Sequence, residues 1–208
     1  MNIKSKDALR KIALISTPWP LYSRPSIQLG TLKAFLQTRI PEMQIDAFHF
    51  YLSIAEAVGY RLYHEISQRS WLAESVYAAL LYPERIKQAE ALFCKESTGN
   101  SILRQVRFET LTEQIKRTTD AFLSRRKWET YGLLGFSISI CQLTSALYMI
   151  RQLKKRFPDL IIVVGGALTA GVSAYGILQK FPEVDVAVNG EGEMPLYQII
   201  QHLRQKPS

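Results

Sequence analysis

The chain has 208 residues, of which 47% are hydrophobic and 21% are charged. This composition is typical of a globular protein with a sizeable core, and the length predicts one large domain, 1–208, or one domain with an insertion. No segment approaches the roughly 20 consecutive apolar residues that cross a membrane, and two cysteines are too few for a disulfide framework or a cysteine-rich metal site.

The net charge of +8 is scattered along the chain and forms no compact basic block. A scattered basic surface argues against nucleic acid as a partner. The first residues, MNIKSKDALRK, lack the apolar stretch of a signal peptide, so we expect a cytoplasmic location and no membrane attachment.

The first part of the chain predicts a strand, a loop, a helix and a second strand. Residues 11–17, KIALIST, form an apolar run that ends at PWPLYSRP, whose three prolines favour a loop. Ser26 is a suitable N-cap for a helix marked by apolar side chains at helical spacing, namely Leu29, Leu32, Leu36 and Ile40. Residues 43–51, MQIDAFHFY, are predicted as the second strand of a parallel sheet.

Residues 53–129 predict several helices and no convincing strand. The helical segments are SIAEAVGYRLYHEIS, SWLAESVYAALLYPERIKQAEALF and FETLTEQIKRTTDAFLSRRK. This is more chain than one crossover connection requires. We therefore interpret 53–129 as a helical insertion that covers one side of the sheet or caps its ligand edge. Its aromatic residues Trp71, Tyr77 and Tyr82 are expected to be packing residues rather than a stacking platform for a ligand.

The alternation of strands and helices returns at residue 131. Strands are predicted at YGLLGFSISI (131–140), at DLIIVVGGA (159–167), a continuous apolar run typical of a buried strand, and at DVAV (185–188). Helical spacing follows each of them, and the last helix has Pro195 in its first turn. The five strands predict an α/β fold with a Rossmann-like, flavodoxin-like five-stranded parallel sheet.

In a parallel sheet, four loops of this chain would meet at the carboxyl edge, where open α/β sheets bind ligands. They are TPWPLYSRPS (17–26), SISICQ (137–142), GGALTAG (165–171) and NGEGE (189–193). Glycine allows the backbone to approach a ligand without a clash at Cβ, and Ser or Gln side chains offer neutral hydrogen-bonding groups. Two simpler interpretations stay open: the Gly-Gly pair is a tight turn, and Glu193 stabilises the N-terminus of the last helix.

The motifs exclude the common nucleotide sites and give no sign of catalysis. Neither G-x-G-x-x-G after the first strand nor G-x-x-x-x-G-K-[ST] occurs, and the carboxylates of NGEGE would repel a phosphate placed against them. The three histidines, His49, His64 and His202, have no Cys or carboxylate partner at a metal-ligand spacing. We expect them to be ordinary surface or core residues.

Several segments resemble one known domain. GFSISICQLTSALYMIRQLKKRFPDLIIVVGGALTAG and FPEVDVAVNGEGEMPLYQII resemble the C-terminal half of the cobalamin-binding domain that precedes many radical-SAM enzymes. PWPLYSRPSIQLGTLKAFL resembles the first loop and helix of that domain, and SWLAESVYAALLYPER is similar to radical-SAM proteins of ribosomal-peptide (RiPP) maturation. The resemblance covers nearly the whole chain and is strongest over 131–200.

The resemblance implies a cobalamin that lies across the carboxyl edge, with its nucleotide tail among the loops. A neutral, glycine-rich edge suits the large, amide-decorated corrin. Carried over by position, the implied cofactor contacts are Thr17, Pro18, Trp19, Pro20, Ser137, Ser139, Gln142, Gly165, Gly166, Ala167, Gly190, Glu191, Gly192 and Glu193.

Two departures from related domains limit what the chain is expected to do. The D-x-H-x-x-G motif, which supplies a histidine to cobalt in methionine-synthase-like domains, is absent, so no protein ligand to the metal is expected. The C-x-x-x-C-x-x-C motif that holds a [4Fe–4S] cluster is absent as well.

The resemblance therefore implies a non-catalytic cobalamin-binding half of a larger enzyme, a methyltransferase or another modifier of a ribosomally made peptide. The [4Fe–4S] cluster and S-adenosylmethionine would belong to a separate radical-SAM catalytic domain, joined in cis or in trans. One alternative is a cobalamin-free docking or peptide-recognition scaffold of the same fold. Another is a flavodoxin-like module for a different small ligand.

Overall fold

A computed structural model of the chain describes residues 9–205. The expected absence of a signal peptide rested on MNIKSKDALRK, of which residues 1–8 lie outside this range. Residues 206–208 of the predicted domain 1–208 lie outside it as well. Of the helices within 9–205, none is both long and apolar enough to span a bilayer.

The sheet is all-parallel, with the strand order β2-β1-β3-β4-β5. Its strands are β1 (Lys11–Ser16), β2 (Gln44–His49), β3 (Leu133–Ser137), β4 (Ile161–Gly165) and β5 (Val186–Ala187). This is the flavodoxin-like arrangement, so the predicted Rossmann-like fold class is confirmed. The order places β1 beside β3. From β1 the chain adds β2 on one side and β3, β4 and β5 on the other, and doubly wound folds bind ligands at the point between β1 and β3 where this order changes direction.

Nine α-helices lie within the described range. They are α1 (Ile27–Arg39), α2 (Phe50–Val58), α3 (Tyr60–Ser67), α4 (Ser70–Leu81), α5 (Ile86–Glu96), α6 (Phe108–Ser124), α7 (Leu143–Arg156), α8 (Val172–Lys180) and α9 (Glu193–Gln205). Helix α1 begins where it was predicted to begin, because the hydroxyl of Ser26 accepts a hydrogen bond from the Leu29 backbone N–H at 3.4 Å.

The helices divide between the two faces of the sheet because successive strand residues point to opposite sides. Ile15, Phe136 and Val164 face a core that includes side chains of α2 to α8. Leu14 and Val163 face a second core with α1 and α9. The helices between β2 and β3 thus lie over the first face, together with α7 and α8.

Three details of the sequence prediction were wrong. The second strand ends at His49, because Phe50 and Tyr51 are buried with Ile54 on one face of a helix, α2. The predicted strands 131–140, 159–167 and 185–188 are shorter, spanning Leu133–Ser137, Ile161–Gly165 and Val186–Ala187. The aromatic expectation failed for one residue: Trp71 is 67% exposed.

Candidate functional site

A cavity of about 580 Å³ lies at the carboxyl edge of the sheet, between α1 and α9. We call it the edge pocket. It is lined by Leu14, Ile27, Gln28, Leu29, Thr31, Leu32, Gly135, Phe136, Ser137, Val163, Gly165, Gly166, Ala167, Ala170, Val188, Gly190, Glu191, Gly192, Glu193 and Leu196. Most of these side chains are apolar or absent, and pockets of roughly 300–1,000 Å³ with such linings commonly hold small molecules.

No side chain fills the floor of the edge pocket at the centre of β3, because the residue there is glycine. Gly135 faces the α1 and α9 side, and a Cβ atom there would lie 2.9 Å from Cδ2 of Leu14. The sequence analysis did not select this residue. The available signal was a glycine inside an otherwise apolar buried strand, which often marks a close approach to a ligand or to another segment.

The loop after β4 forms one wall, and its shape depends on Gly166. This residue has φ 118° and ψ −173°, a region that is essentially restricted to glycine. A Cβ atom at Gly166 would lie 2.6 Å from the carbonyl oxygen of Ile138 in the loop after β3. That carbonyl accepts a hydrogen bond from the Leu168 N–H at 3.2 Å. The two loops are therefore held in direct contact.

The opposite wall is the NGEGE loop between β5 and α9. Gly190 has φ 91°, and Gly192 packs close to α1, since a Cβ there would lie 3.3 Å from Cδ2 of Leu32. The side chain of Asn189 accepts a hydrogen bond from the Gly171 N–H at 2.9 Å, which ties this loop to the loop before α8. Glu193 is the first residue of α9, where a carboxylate stabilises the helix N-terminus.

Gln142 and Thr17 form a buried polar network under the strand ends and do not line the edge pocket. The Gln142 amide NH₂ donates to the Thr17 carbonyl and, at 3.2 Å, to Ser16 Oγ, while its oxygen accepts from the Ser139 N–H at 2.9 Å. Ser145 Oγ donates to the carbonyl of Pro18 at 2.6 Å. These groups fix the loops after β1 and β3 to each other, as buried polar groups need partners.

The Pro-Trp-Pro part of the first loop is anchored to the helices over the first face. Trp19 is 2% exposed, and its indole N–H donates to the Ala73 carbonyl in α4 at 2.9 Å. The Tyr63 hydroxyl donates to the Pro20 carbonyl at 2.9 Å. The structure thus gathers eight of the implied contacts around the edge pocket and uses the other six to hold the loops. The eight are Ser137, Gly165, Gly166, Ala167, Gly190, Glu191, Gly192 and Glu193.

The titratable groups near the edge give no metal site or activated nucleophile. Burial raises the pKa of the Cys141 thiol, which disfavours the reactive thiolate. Burial lowers the pKa of His49 at the end of β2, and its Nδ1 has no hydrogen-bond partner among the described residues. Within residues 9–205, no three His, Cys, Asp or Glu side chains are grouped to hold a metal ion.

The lining of the edge pocket is mostly neutral. Among the described residues that line it, none is a lysine, arginine, histidine or cysteine, and the two carboxylates lie together on the NGEGE wall. Comparison of the chain with models of protein families, with curated proteins and with solved structures found no match.

Proposed function

We propose that the chain is the cobalamin-binding module of a radical-SAM enzyme that modifies a ribosomally made peptide. The edge pocket carries this proposal. Cobalamin has two parts, a wide corrin ring decorated with amides and a tail that ends in a flat aromatic base. The edge pocket suits the tail, because it is apolar, opens at the carboxyl edge and lies beside the point where β1 and β3 diverge.

The residues present fit this ligand in two respects. First, Gly135 leaves room in the floor, since any side chain on this face of β3 would project toward Leu14 and into the pocket. Second, Ser137 and the backbone of the glycine loops offer neutral hydrogen-bonding groups at the rim, which match the amide side chains of the corrin. The phosphodiester of the tail would have to lie away from the carboxylates of Glu191 and Glu193.

None of the three histidines, all of which lie within residues 9–205, lines the edge pocket. His49 is half-buried at the end of edge strand β2. His64 and His202 are exposed on α3 and α9, and His202 lies in the last turn, away from the carboxyl edge. When bound, cobalamin would supply a carrier for a methyl group. The residues of this chain would hold and orient it.

The proposal includes partners. A radical-SAM catalytic domain, in cis or in trans, would hold the [4Fe–4S] cluster and S-adenosylmethionine, and a peptide would be the substrate. Cytoplasmic location belongs to the same proposal, because reduced iron–sulfur chemistry requires a reducing compartment. The apolar side chains exposed at the carboxyl edge, such as Val172 and Met194, suit contact with such a domain.

The test is a titration of the purified chain in the dark with hydroxocobalamin and with cobinamide, a corrinoid that lacks the nucleotide tail. Gel filtration and the visible spectrum then report bound corrinoid. We expect a coloured protein peak and a spectrum without histidine ligation. The variant Gly135→Val should weaken cobalamin binding by about tenfold or more, a loss of about 1.4 kcal/mol, because valine fills the site of the tail. Cobinamide binding should not change.

Two controls separate binding from folding. Thr31→Trp obstructs the same pocket from an exposed position on α1, so it does not disturb the core, and it should act like Gly135→Val. Gly30→Ala changes the same helix at a site with open space around it and should leave binding unchanged. A colourless wild-type peak, also in the presence of the catalytic domain, would contradict the proposal and favour the cobalamin-free docking scaffold.

A further inference from the structure

Trp71 differs from the other two tryptophans of the chain in its exposure. Trp19 and Trp128 are 2% and 0% exposed, whereas Trp71, in the first turn of α4, is 67% exposed. Tryptophan is the largest apolar side chain, and it is common where one molecule contacts another. Its position in the fold therefore indicates what it could contact.

Helix α4 lies alongside α7 and runs in the same direction. Glu74 contacts Leu143 and Thr144 at the start of α7, and the Tyr77 and Tyr148 rings lie 5.9 Å apart one turn later. Because Glu74 is level with the first residues of α7, the first turn of α4 extends past the N-terminus of α7 toward the carboxyl edge of the sheet. Trp71, three residues before Glu74 and on the same helix face, is thus level with the loop that follows β3.

Ser70, in the first turn of α4, is also close to the loop that follows β3. Burial raises the pKa of the Cys141 thiol and the Ser70 side chain lowers it, so these two side chains are close to each other. The preceding residue of the loop, Ile140, is 64% exposed. Trp71 follows Ser70 and Ile140 precedes Cys141, so each is adjacent in sequence to one of these two residues, and both expose large apolar side chains at the carboxyl edge. We call them the Trp71 ledge.

Hydrogen bonds hold the backbone next to Trp71 in place. The Glu74 carboxylate accepts hydrogen bonds from the N–H groups of Leu143 at 3.0 Å and Thr144 at 2.8 Å, the first two residues of α7. These N–H groups have no partner within their own helix, so Glu74 caps α7 from a neighbouring helix. The buried Trp19 indole also donates to the Ala73 carbonyl. The backbone under Trp71 is thereby held to the loops after both β1 and β3.

The edge pocket and the ledge lie on opposite sides of the strand ends. The pocket is on the side of α1 and α9, while α4 is on the side of α7. A ligand confined to the pocket would not reach Trp71. A ligand that places a narrow tail in the pocket and a wide ring across the ends of β1 and β3 would reach both sides.

We propose that Trp71 and Ile140 contact the corrin ring, so that the helices between β2 and β3 supply part of the cofactor site. This inference rests on the proposed function, because it assumes a corrinoid in the edge pocket. The indole and the Ile140 side chain cover apolar parts of the ring and exclude water from that side. Binding energy then comes from two separate places, the tail in the pocket and the ring on the ledge.

The first readout is structural. The chain is labelled with 5-fluorotryptophan, which gives three ¹⁹F resonances, and Trp71→Phe identifies that of Trp71. In the free protein this resonance should shift between H₂O and D₂O because the side chain is exposed. With hydroxocobalamin or cobinamide bound, it should move and lose that solvent effect. The resonance of buried Trp128 should stay in place.

The second readout is affinity. Trp71→Ala should weaken hydroxocobalamin and cobinamide by the same factor of about ten, because both contain the ring and truncation of a buried aromatic contact commonly costs this much. Gly135→Val should affect only the corrinoid with a tail. Ile86→Ala is the matched control: it removes an exposed apolar side chain at the start of α5, next to the far end of α4, and should change neither affinity.

The outcomes separate the two proposals. If corrinoids bind while the Trp71 resonance and the affinity of Trp71→Ala stay unchanged, the ring lies elsewhere and the ledge proposal is wrong, whereas the pocket proposal stands. If Trp71→Ala weakens hydroxocobalamin but not cobinamide, Trp71 contacts the tail and the ledge proposal is again wrong. If neither corrinoid binds to the wild-type chain, alone or in the presence of the catalytic domain, both proposals fail.

Discussion

Gly166 offers the sharpest test of the loop geometry, because two independent features forbid a side chain there. Its φ of 118° and ψ of −173° lie in a region essentially closed to other residues, at a cost of about 1–3 kcal/mol for alanine. A Cβ would also lie 2.6 Å from the Ile138 carbonyl oxygen. Relief of such an overlap within packed backbone costs a further 1–3 kcal/mol, roughly.

We therefore expect Gly166→Ala to lower the free energy of unfolding by about 2–6 kcal/mol, the sum of the two costs. Urea denaturation followed by far-ultraviolet circular dichroism measures it, with the denaturant dependence checked for change. Because Gly166 also lines the edge pocket, corrinoid binding should weaken in the folded fraction.

Two glycines of the same chain are matched controls. Gly165→Ala should change stability little, because its Cβ would make an ordinary contact at 3.6 Å with Cβ of Val188. Gly30→Ala should stabilise the protein by about 0.5–1 kcal/mol, since Gly30 lies inside α1 with open space around it and alanine favours helix. If Gly166→Ala were as stable as Gly165→Ala, the loops after β3 and β4 could not be in the contact described above.

Three further substitutions test the supports of the site. Glu74→Ala should lower the unfolding free energy by about 2–3 kcal/mol, because it leaves the first N–H groups of α7 without partners. Glu90→Ala, at an exposed position of α5, should not lower it, and chemical denaturation compares the two variants. Gln142→Leu should cost about 2–4 kcal/mol in the same assay, since its buried partners lose their hydrogen bonds. Burial lowers the pKa of His49 below its ordinary 6.5, so the folded state resists protonation and stability should fall as the pH drops below about 6.5. The free energy of unfolding, measured at pH 7.5 and 5.5, should change less for His49→Gln than for wild type or His202→Gln. An equal change in all three proteins would contradict the role given to His49.

The sheet could be predicted from the sequence because its strands carry strong local signals. The run of apolar residues in β4 fits a strand buried on both faces, and that burial is observed for Val163 and Val164, which face opposite cores. The prediction failed at the end of β2 because Phe50 and Tyr51 suit a strand as well as a helix. Their burial with Ile54 on one face of α2 settles the choice, and this packing is not visible in a window of nine residues.

The edge pocket could be predicted only in part. Loops at the carboxyl edge follow from strand direction, so Ser137 and the glycine loops were found. The roles of Gln142 and Trp19 were not, because a polar or aromatic residue near a site can serve the ligand or the fold, and the sequence does not distinguish them. Trp71 was predicted to be a packing residue for a similar reason: one apolar residue in a helical segment has no visible partner until the neighbouring helices are placed.

The buried polar groups at the carboxyl edge form their hydrogen bonds within the fold, and the edge pocket is lined mostly by apolar side chains and glycine. The buried polar groups Gln142 and Ser145 bond to backbone and hydroxyl groups of the loops after β1 and β3, and Glu74 caps α7 from outside. Once these groups are satisfied internally, they are not available to a ligand. What remains in the edge pocket is backbone at the glycine positions, apolar surface, and a few polar side chains, namely Gln28, Thr31, Ser137, Glu191 and Glu193. If the edge pocket binds the proposed cofactor, shape and close approach contribute more than charge. The geometry of the loops depends on the helices between β2 and β3, because Ala73 and Glu74 of α4 hold the loop after β1 and the start of α7 in place.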